Sequence, residues 1–374
     1  RRLPIRQSTF SRHSRDDGSQ GSSRDPRAGI MSNLHSKDNK RLIPPGLNYL
    51  ADNISSKHNL LGADRTTKAK WAKDLHLTKE TETIFFAGCG YQYASELESL
   101  TALIRRIDRA EIAGISTERA INLANFQKKL GIDAASLYRR VITRDNDTDA
   151  QPLRDAVKVL DRIGIEFGYL GKDEPCCGGP LYYFGLHNKF EKHAREAYSQ
   201  LKDKGVKRII SIVPSCTNTL RNTIPACLGK HDIEVKHFTE VVAERISSLN
   251  LRFPRKIKVT YHDPCQLIRY LGVGEEPRQI LRAIKDIELV EPTWTKGDYS
   301  TCCGGGAGFE AVFPELSQIL AVNRAKELVE TGAQIIVTQC PGCVMQLKTG
   351  LKELGAITVE VLDMAQILAM SLKD

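Results

Sequence analysis

From Thr83 to the C-terminus, short apolar runs alternate with longer stretches whose apolar residues recur every three or four positions. That alternation is the pattern of repeated strand–helix units. Strands are predicted at Thr83–Ala87, Glu166–Leu170, Arg208–Val213 and Val235–Phe238, and again at Lys258–Tyr261, Ile287–Val290, Gln334–Thr338 and Val359–Leu362. The two sets match one another in order and in the residues after each strand, which points to an internal duplication in an α/β chain. Helices are predicted directly after Cys216 and Cys340, and from near Thr239 and Asp363, both good N-cap residues.

The pattern also marks the parts that lie outside the repeat. Residues 1–44 form a basic tail without apolar periodicity, expected to be disordered. Residues 45–79 read as an entry arm, in which Pro44-Pro45 argues against an early helix and Lys68–Leu75 suits a short one. The first half then covers 80–250 and the second 251–374. Between Cys89 and Cys176 lie 86 residues, against 36 at the equivalent place in the second half. The surplus, about 93–144, carries helical spacing at Leu100, Leu103, Ile104 and Ile107, then Ala120, Leu123 and Phe126, so a helical insertion is expected there.

Charge changes the picture little. The net charge is +9, but +6 of it falls between Arg1 and Arg41, leaving +3 for the body. A basic arm can touch nucleic acid or a phospholipid surface. A solvated tail is the plainer reading, with Met31 as a candidate start, and no nucleic-acid partner is expected. No apolar run reaches the ~18–20 residues of a membrane helix.

The ten cysteines change it most. In a long chain without a secretory signal they do not suggest a disulfide framework. In the second half Cys265 is followed after 36 residues by Cys302-Cys303, and after 36 more by Cys340-Pro341-Gly342-Cys343. Most fall where a strand ends, the edge at which open α/β sheets bind ligands, and beside helix starts whose free N–H groups suit an anionic thiolate–sulfide centre. Zinc is the rival, but it wants four ligands, commonly as two short chelating pairs, and has no use for a fifth thiol. Five thiolates suggest a multi-iron centre.

The runs Tyr261-His262-Asp263-Pro264-Cys265, Cys302-Cys303-Gly304-Gly305-Gly306 and Cys340–Cys343 resemble the cysteine-rich, or CCG, domain found in the B and D subunits of heterodisulfide reductase and in related iron–sulfur oxidoreductases. The resemblance extends from about Asn59 to the C-terminus. It implies two Rossmann-like halves in a pseudo-twofold relation. It also implies a noncubane 4Fe–4S cluster held by Cys265, Cys302, Cys303, Cys340 and Cys343, which reduces a disulfide or relays electrons.

The first half departs from that pattern. Its Cys89, Cys176, Cys177 and Cys216 are followed by Thr219 where the last cysteine belongs, and Cys227 lies eight residues further on. A cluster, zinc or nothing can occupy that set. No cysteine precedes Cys89, so cubane clusters are expected on a separate ferredoxin-like subunit, alongside a flavin-containing or membrane cytochrome subunit and a disulfide or other small-molecule acceptor. A cytoplasmic location, peripheral to the inner membrane through partners, follows from the resemblance. The alternative is a zinc-binding docking or scaffold subunit of a redox complex.

Smaller features carry less. His262 and Asp263 can relay protons beside Cys265, or orient the turn before Pro264 through side-chain–backbone hydrogen bonds. His187 and His193 do not share a helix face and read as solvated. The glycines from Gly304 to Gly308 lack the spacing of a dinucleotide-binding loop.

Overall fold

The structure, a computed structural model, describes residues 45–93, 150–229, 232–306 and 309–373. The basic tail and nearly all of the expected insertion lie outside them. Residues from Pro45 onward form one compact unit.

The chain enters through helix α1, Pro45–Lys57. Pro45 opens this helix instead of preventing it, because the first helical position needs no N–H donor. A 3₁₀ turn follows at Arg65–Ala72, slightly ahead of the expected short helix. The first half then runs β1 (Thr83–Phe86), α2 (Gly88–Gln92), α3 (Gln151–Arg162), α4 (His187–Asp203), β2 (Arg208–Ser211), α5 (Pro214–Asn218), β3 (Glu234–His237) and α6 (Phe238–Glu244). The second half runs β4 (Arg252–Tyr261), α7 (Glu275–Ala283), β5 (Lys285–Leu289), α8 (Pro314–Val329), β6 (Ile335–Thr338), α9 (Pro341–Glu353), β7 (Glu360–Asp363) and α10 (Met364–Ser371).

Two parallel sheets result, ordered β1-β2-β3 and β5-β4-β6-β7. β1, β2 and β3 correspond to β4, β6 and β7, so the duplication seen in the apolar pattern is also a duplication of topology. The fourth correspondence is incomplete. Glu166–Leu170, the partner of β5, makes only a single bridge to Ile84 through Gly168. Gly168 exchanges hydrogen bonds with Phe85 and Thr83, but the next N–H, of Tyr169, goes to Thr78 O at 2.9 Å. The entry arm covers that outer edge, while on the inner side Glu174 takes the Ala87 N–H that would extend the ladder.

Helix starts also differ from expectation. α6 is capped by His237, two residues before Thr239, and Cys216 lies within α5, which begins at Pro214. Asp363 does cap α10, as expected.

One core runs through both halves. α10 of the second half packs on α3 of the first, burying Ile367 and Leu368 against that helix's own buried Leu153 and Leu160. Fully burying such a side chain stabilises by about 1.5–3 kcal/mol. The continuous core holds the C-terminal strand edges of the two sheets in a fixed relation.

Candidate metal centre

At the end of β4 the chain turns through His262-Asp263-Pro264 into Cys265. Asp263 fixes this turn: its carboxylate accepts from both terminal nitrogens of Arg278, at 2.8 and 2.9 Å, and from Gly297 N at 2.8 Å. A buried carboxylate needs such partners to stay charged. At the end of β6, Cys340 caps α9 and places Cys343 in its first turn. Cys302-Cys303 arrive on the loop after β5. Gly304 takes φ +81°, a left-handed conformation that costs glycine little, and its N–H donates to Cys302 Sγ at 3.3 Å.

These elements converge. Cys303 Sγ and Cys343 Sγ lie 3.1 Å apart, and the His262 imidazole joins them in a buried group whose ligand atoms all fall within 4.8 Å of one another. All the cysteines are free, and 3.1 Å is well beyond the ~2.05 Å of a disulfide. Burial, with the neighbouring Cys340 and Cys303, pushes the Cys265 thiol up to about 11. Within the tight trio, hydrogen bonding to Cys303 pushes Cys302 and Cys343 upward. Cys303 itself is held well below the usual thiol range by hydrogen bonds from Cys302 and Cys343, and then from His262. Gathered thiols can ionise together only if positive charge is supplied, which a bound metal centre does. Soft sulfur donors and a helix N-terminus fit an iron–sulfur cluster, and Cys302 remains exposed at its edge.

The first half repeats the arrangement in part. Cys177 Sγ and Cys216 Sγ lie 3.3 Å apart, and Gly178, at φ +77°, donates its N–H to Cys176 Sγ at 3.4 Å. Cys89 follows Gly88, where an added Cβ would stand 3.0 Å from Cys216 Sγ. The hydrogen bond from Cys177 lowers the Cys216 thiol, but burial with Cys89 and Cys176 outweighs it and leaves that thiol raised. Thr219 is buried beside Cys177, and its hydroxyl donates to Ser215 O at 2.7 Å. Cys227 does not join the set; its charged neighbours are Glu191 and Arg195.

Several residues without a sequence signal complete the two centres. Glu174 is buried and accepts from Ala87 N, Gly88 N and Gln92 Nε2, holding the Cys89 turn. Tyr183, raised to about 12 chiefly by burial, hydrogen-bonds Gln266, the residue after Cys265. Two expectations about histidines are corrected. His193 is buried, not solvated, because its Nε2 bonds Cys176 O at 2.9 Å under the first cysteine pair. His262 does not bond the turn backbone; Arg324 Nε donates to its Nδ1 at 3.0 Å and the ring faces the sulfurs.

The family model of the cysteine-rich domain, CCG, matches residues 142–221 and 259–348, one match in each half. Both halves are thus similar to the CCG family. Among curated relatives, the D subunit of the dihydromethanophenazine:CoB–CoM heterodisulfide reductase of Methanosarcina acetivorans is 33% identical over 221 residues, 58% of this chain and 54% of that protein. The EtfAB:quinone oxidoreductase of Syntrophomonas wolfei is 32% identical over 57% of this chain and 30% of its own. The B subunit of the fumarate reductase (CoM/CoB) of Methanothermobacter marburgensis is 31% identical over 58% of this chain and 42% of its own. The chain therefore spans about half the length of the heterodisulfide reductase relative it matches. Among solved structures, a hypothetical protein from Helicobacter pylori aligns over 60% of this chain and 46% of its own, with 16% identity and a TM-score of 0.43, too loose a likeness to bear on function.

Proposed function

We propose that this chain is an iron–sulfur subunit of an oxidoreductase, with its working centre in the second half. Cys265, Cys302, Cys303, Cys340 and Cys343 would hold a noncubane 4Fe–4S cluster. The observation that carries the reading is the convergence of the second-half thiols around the buried Cys303–Cys343 contact of 3.1 Å. The relatives' names support it at the coarser level, since each is an oxidoreductase or a subunit of one. When bound, the cluster supplies a one-electron centre and iron sites open to sulfur.

The protein's own work is to bind and shield that centre. Gly304 N–H donates to Cys302, and Asp263 with Arg278 holds the turn that presents Cys265. Cys302, on the exposed side, is where an acceptor would approach, either a disulfide or a partner subunit. The partners we infer are a ferredoxin-like iron–sulfur subunit and a flavin or cytochrome subunit. Among the described residues no helix is long and apolar enough to cross a membrane, so attachment of this region to the inner membrane would run through those partners.

The test is Cys303→Ala, purified without oxygen. Iron and acid-labile sulfide attributable to the second half should be lost along with its paramagnetic signal; unchanged iron content would end the assignment. For the first half, four thiolates suit zinc as well as iron, and metal analysis of the same preparation separates the zinc-scaffold reading from the redox one.

A further inference from the structure

His262 stands three residues before Cys265; the equivalent position in the first half is Phe86. The histidine is 1% exposed, and its Nδ1 is 3.0 Å from Arg324 Nε. A guanidinium is always protonated and can only donate. Facing it, Nδ1 must present a lone pair, which excludes both the Nδ1–H tautomer and the imidazolium ion, in which two donors would collide. The ring's single proton is therefore on Nε2. That nitrogen is buried without a hydrogen-bond partner, and the ring lies in one group with the sulfurs of Cys303 and Cys343, the ligand atoms all within 4.8 Å of one another.

The same constraint decides what His262 can do for a metal. A ligand nitrogen must offer a lone pair, and here Nε2 has spent its own on a proton. We propose that His262 is an N–H donor to the thiolates of Cys303 and Cys343 and not a metal ligand, and that Arg324 is the positioning residue that fixes it in that role.

Arg324 is built to hold this geometry. It is fully buried on the inner stripe of α8 with Ser317, Ala321, Ala325 and Leu328. Its Nη1 donates to Thr295 O at 2.8 Å and Glu327 Oε2 at 2.7 Å, and Glu327 in turn accepts from Thr301 Oγ1 at 2.6 Å. Burying a guanidinium is costly, and an apolar residue would fill the stripe without that cost. What the arginine contributes is directional: one N–H pinned to one nitrogen. An electron entering a cluster adds negative charge to its sulfurs, and an N–H donor stabilises that form, so the pair raises the reduction potential. Phe86 offers no such donor to a centre in the first half.

The inference rests on the second half holding an iron–sulfur cluster, and the test separates the two. The full chain is reconstituted anaerobically as wild type, His262→Leu, His262→Gln and Arg324→Met. Each is titrated potentiometrically with EPR detection, and hyperfine spectra are recorded in H₂O and D₂O. The wild type should show an exchangeable proton coupled to the cluster and no directly coordinated histidine nitrogen. His262→Leu should keep its iron, lose that proton, and shift the one-electron equilibrium toward the oxidised form about tenfold, or about 59 mV. His262→Gln, whose amide N–H reaches near Nε2, should recover part of the shift. Arg324→Met should lower the potential with His262 still present. Should that buried variant fail to fold, the His262 pair decides alone. A coordinated histidine nitrogen in the wild type, or an unchanged potential in His262→Leu, overturns the proposal. Absence of iron from the wild type overturns the cluster reading beneath it, and the proposal with it.

Discussion

Thr219 is the residue that leaves the first half one thiol short of the second. It stands where the second half has Cys343, buried beside Cys177, with its hydroxyl turned back to Ser215 O. That i−4 bond is a habit of threonine in helices and satisfies the hydroxyl without any ligand. Replacing it by cysteine forfeits a hydrogen bond worth about 0.5–1.5 kcal/mol and returns a thiol to the gap. Thr219→Cys is therefore expected to bind more iron and sulfide per chain than the wild type, measured after anaerobic reconstitution. Equal content in both would mean that the missing thiol does not decide what the first half holds.

The helices that close each half show how one structural place can carry opposite chemistry. α6 and α10 follow equivalent strands and both begin with a reciprocal cap, through His237 with Glu240 and Asp363 with Gln366. His237 accepts from Thr239 N and bonds Ile212 O, and burial holds it down to about 3. Asp363 accepts from Ala365 N and from the Tyr91 hydroxyl, and burial raises it to about 7.

The two pH dependences have opposite signs. The histidine's pKa is depressed by folding, so its stabilisation holds above the unfolded value near 6.5 and is lost as pH falls toward about 3. The aspartate's is raised, so its contribution is complete below about 4 and is lost as pH rises through about 7. In denaturant titrations of the metal-free protein, Asp363→Asn should flatten the decline between about pH 4 and 7, and His237→Asn the decline below about 6.5. Both replacements keep a capping side chain, so Asp363→Asn should cost no more than about 1 kcal/mol at its favourable pH, and His237→Asn about 1–3 kcal/mol more for the lost bond to Ile212 O. An unchanged slope in either variant would contradict the assignment.

Across the molecule the two halves touch reciprocally through the elements that carry the cysteines. α2, which bears Cys89, lies on α9, which bears Cys343; α5, which bears Cys216, lies on the turn after Cys265, where Asn218 Nδ2 donates to Gln266 Oε1 at 3.1 Å. Tyr91 reaches Asp363 across the same boundary, and Gln339 Nε2 reaches Thr239 Oγ1 at 3.1 Å. The approach of α2 to α9 needs a glycine, because a Cβ on Gly90 would stand 2.6 Å from Pro341 Cγ. Overpacking of this kind costs about 1–3 kcal/mol. Gly90→Val should therefore lower the thermal midpoint. It should also reduce iron in the second half, although the substitution is made in the first. Loss confined to first-half metal would argue that the centres are supported independently.

The duplication, the succession of strands and helices and the two cysteine sets could be read from the chain, because each is written in local spacing: short apolar runs alternating with helical periods, Gly or Pro beside a thiol, two residues between Cys340 and Cys343. Arg324 left a fainter trace, a charged residue on an otherwise small and apolar helical stripe. Its partner was not legible. His262 is 62 residues away, and Tyr91 and Asp363 are 272 apart. Such pairs depend on how helices settle onto two sheets around one core, and no period in the sequence records that. The reduced strand at Glu166–Leu170 had the same cause, since the Glu174 carboxylate takes the Ala87 N–H that would extend its pairing with β1. Local chemistry named the thiols; the packing of distant elements chose the groups that surround them, because a buried donor or charge takes its partner from whatever the folded core brings within reach.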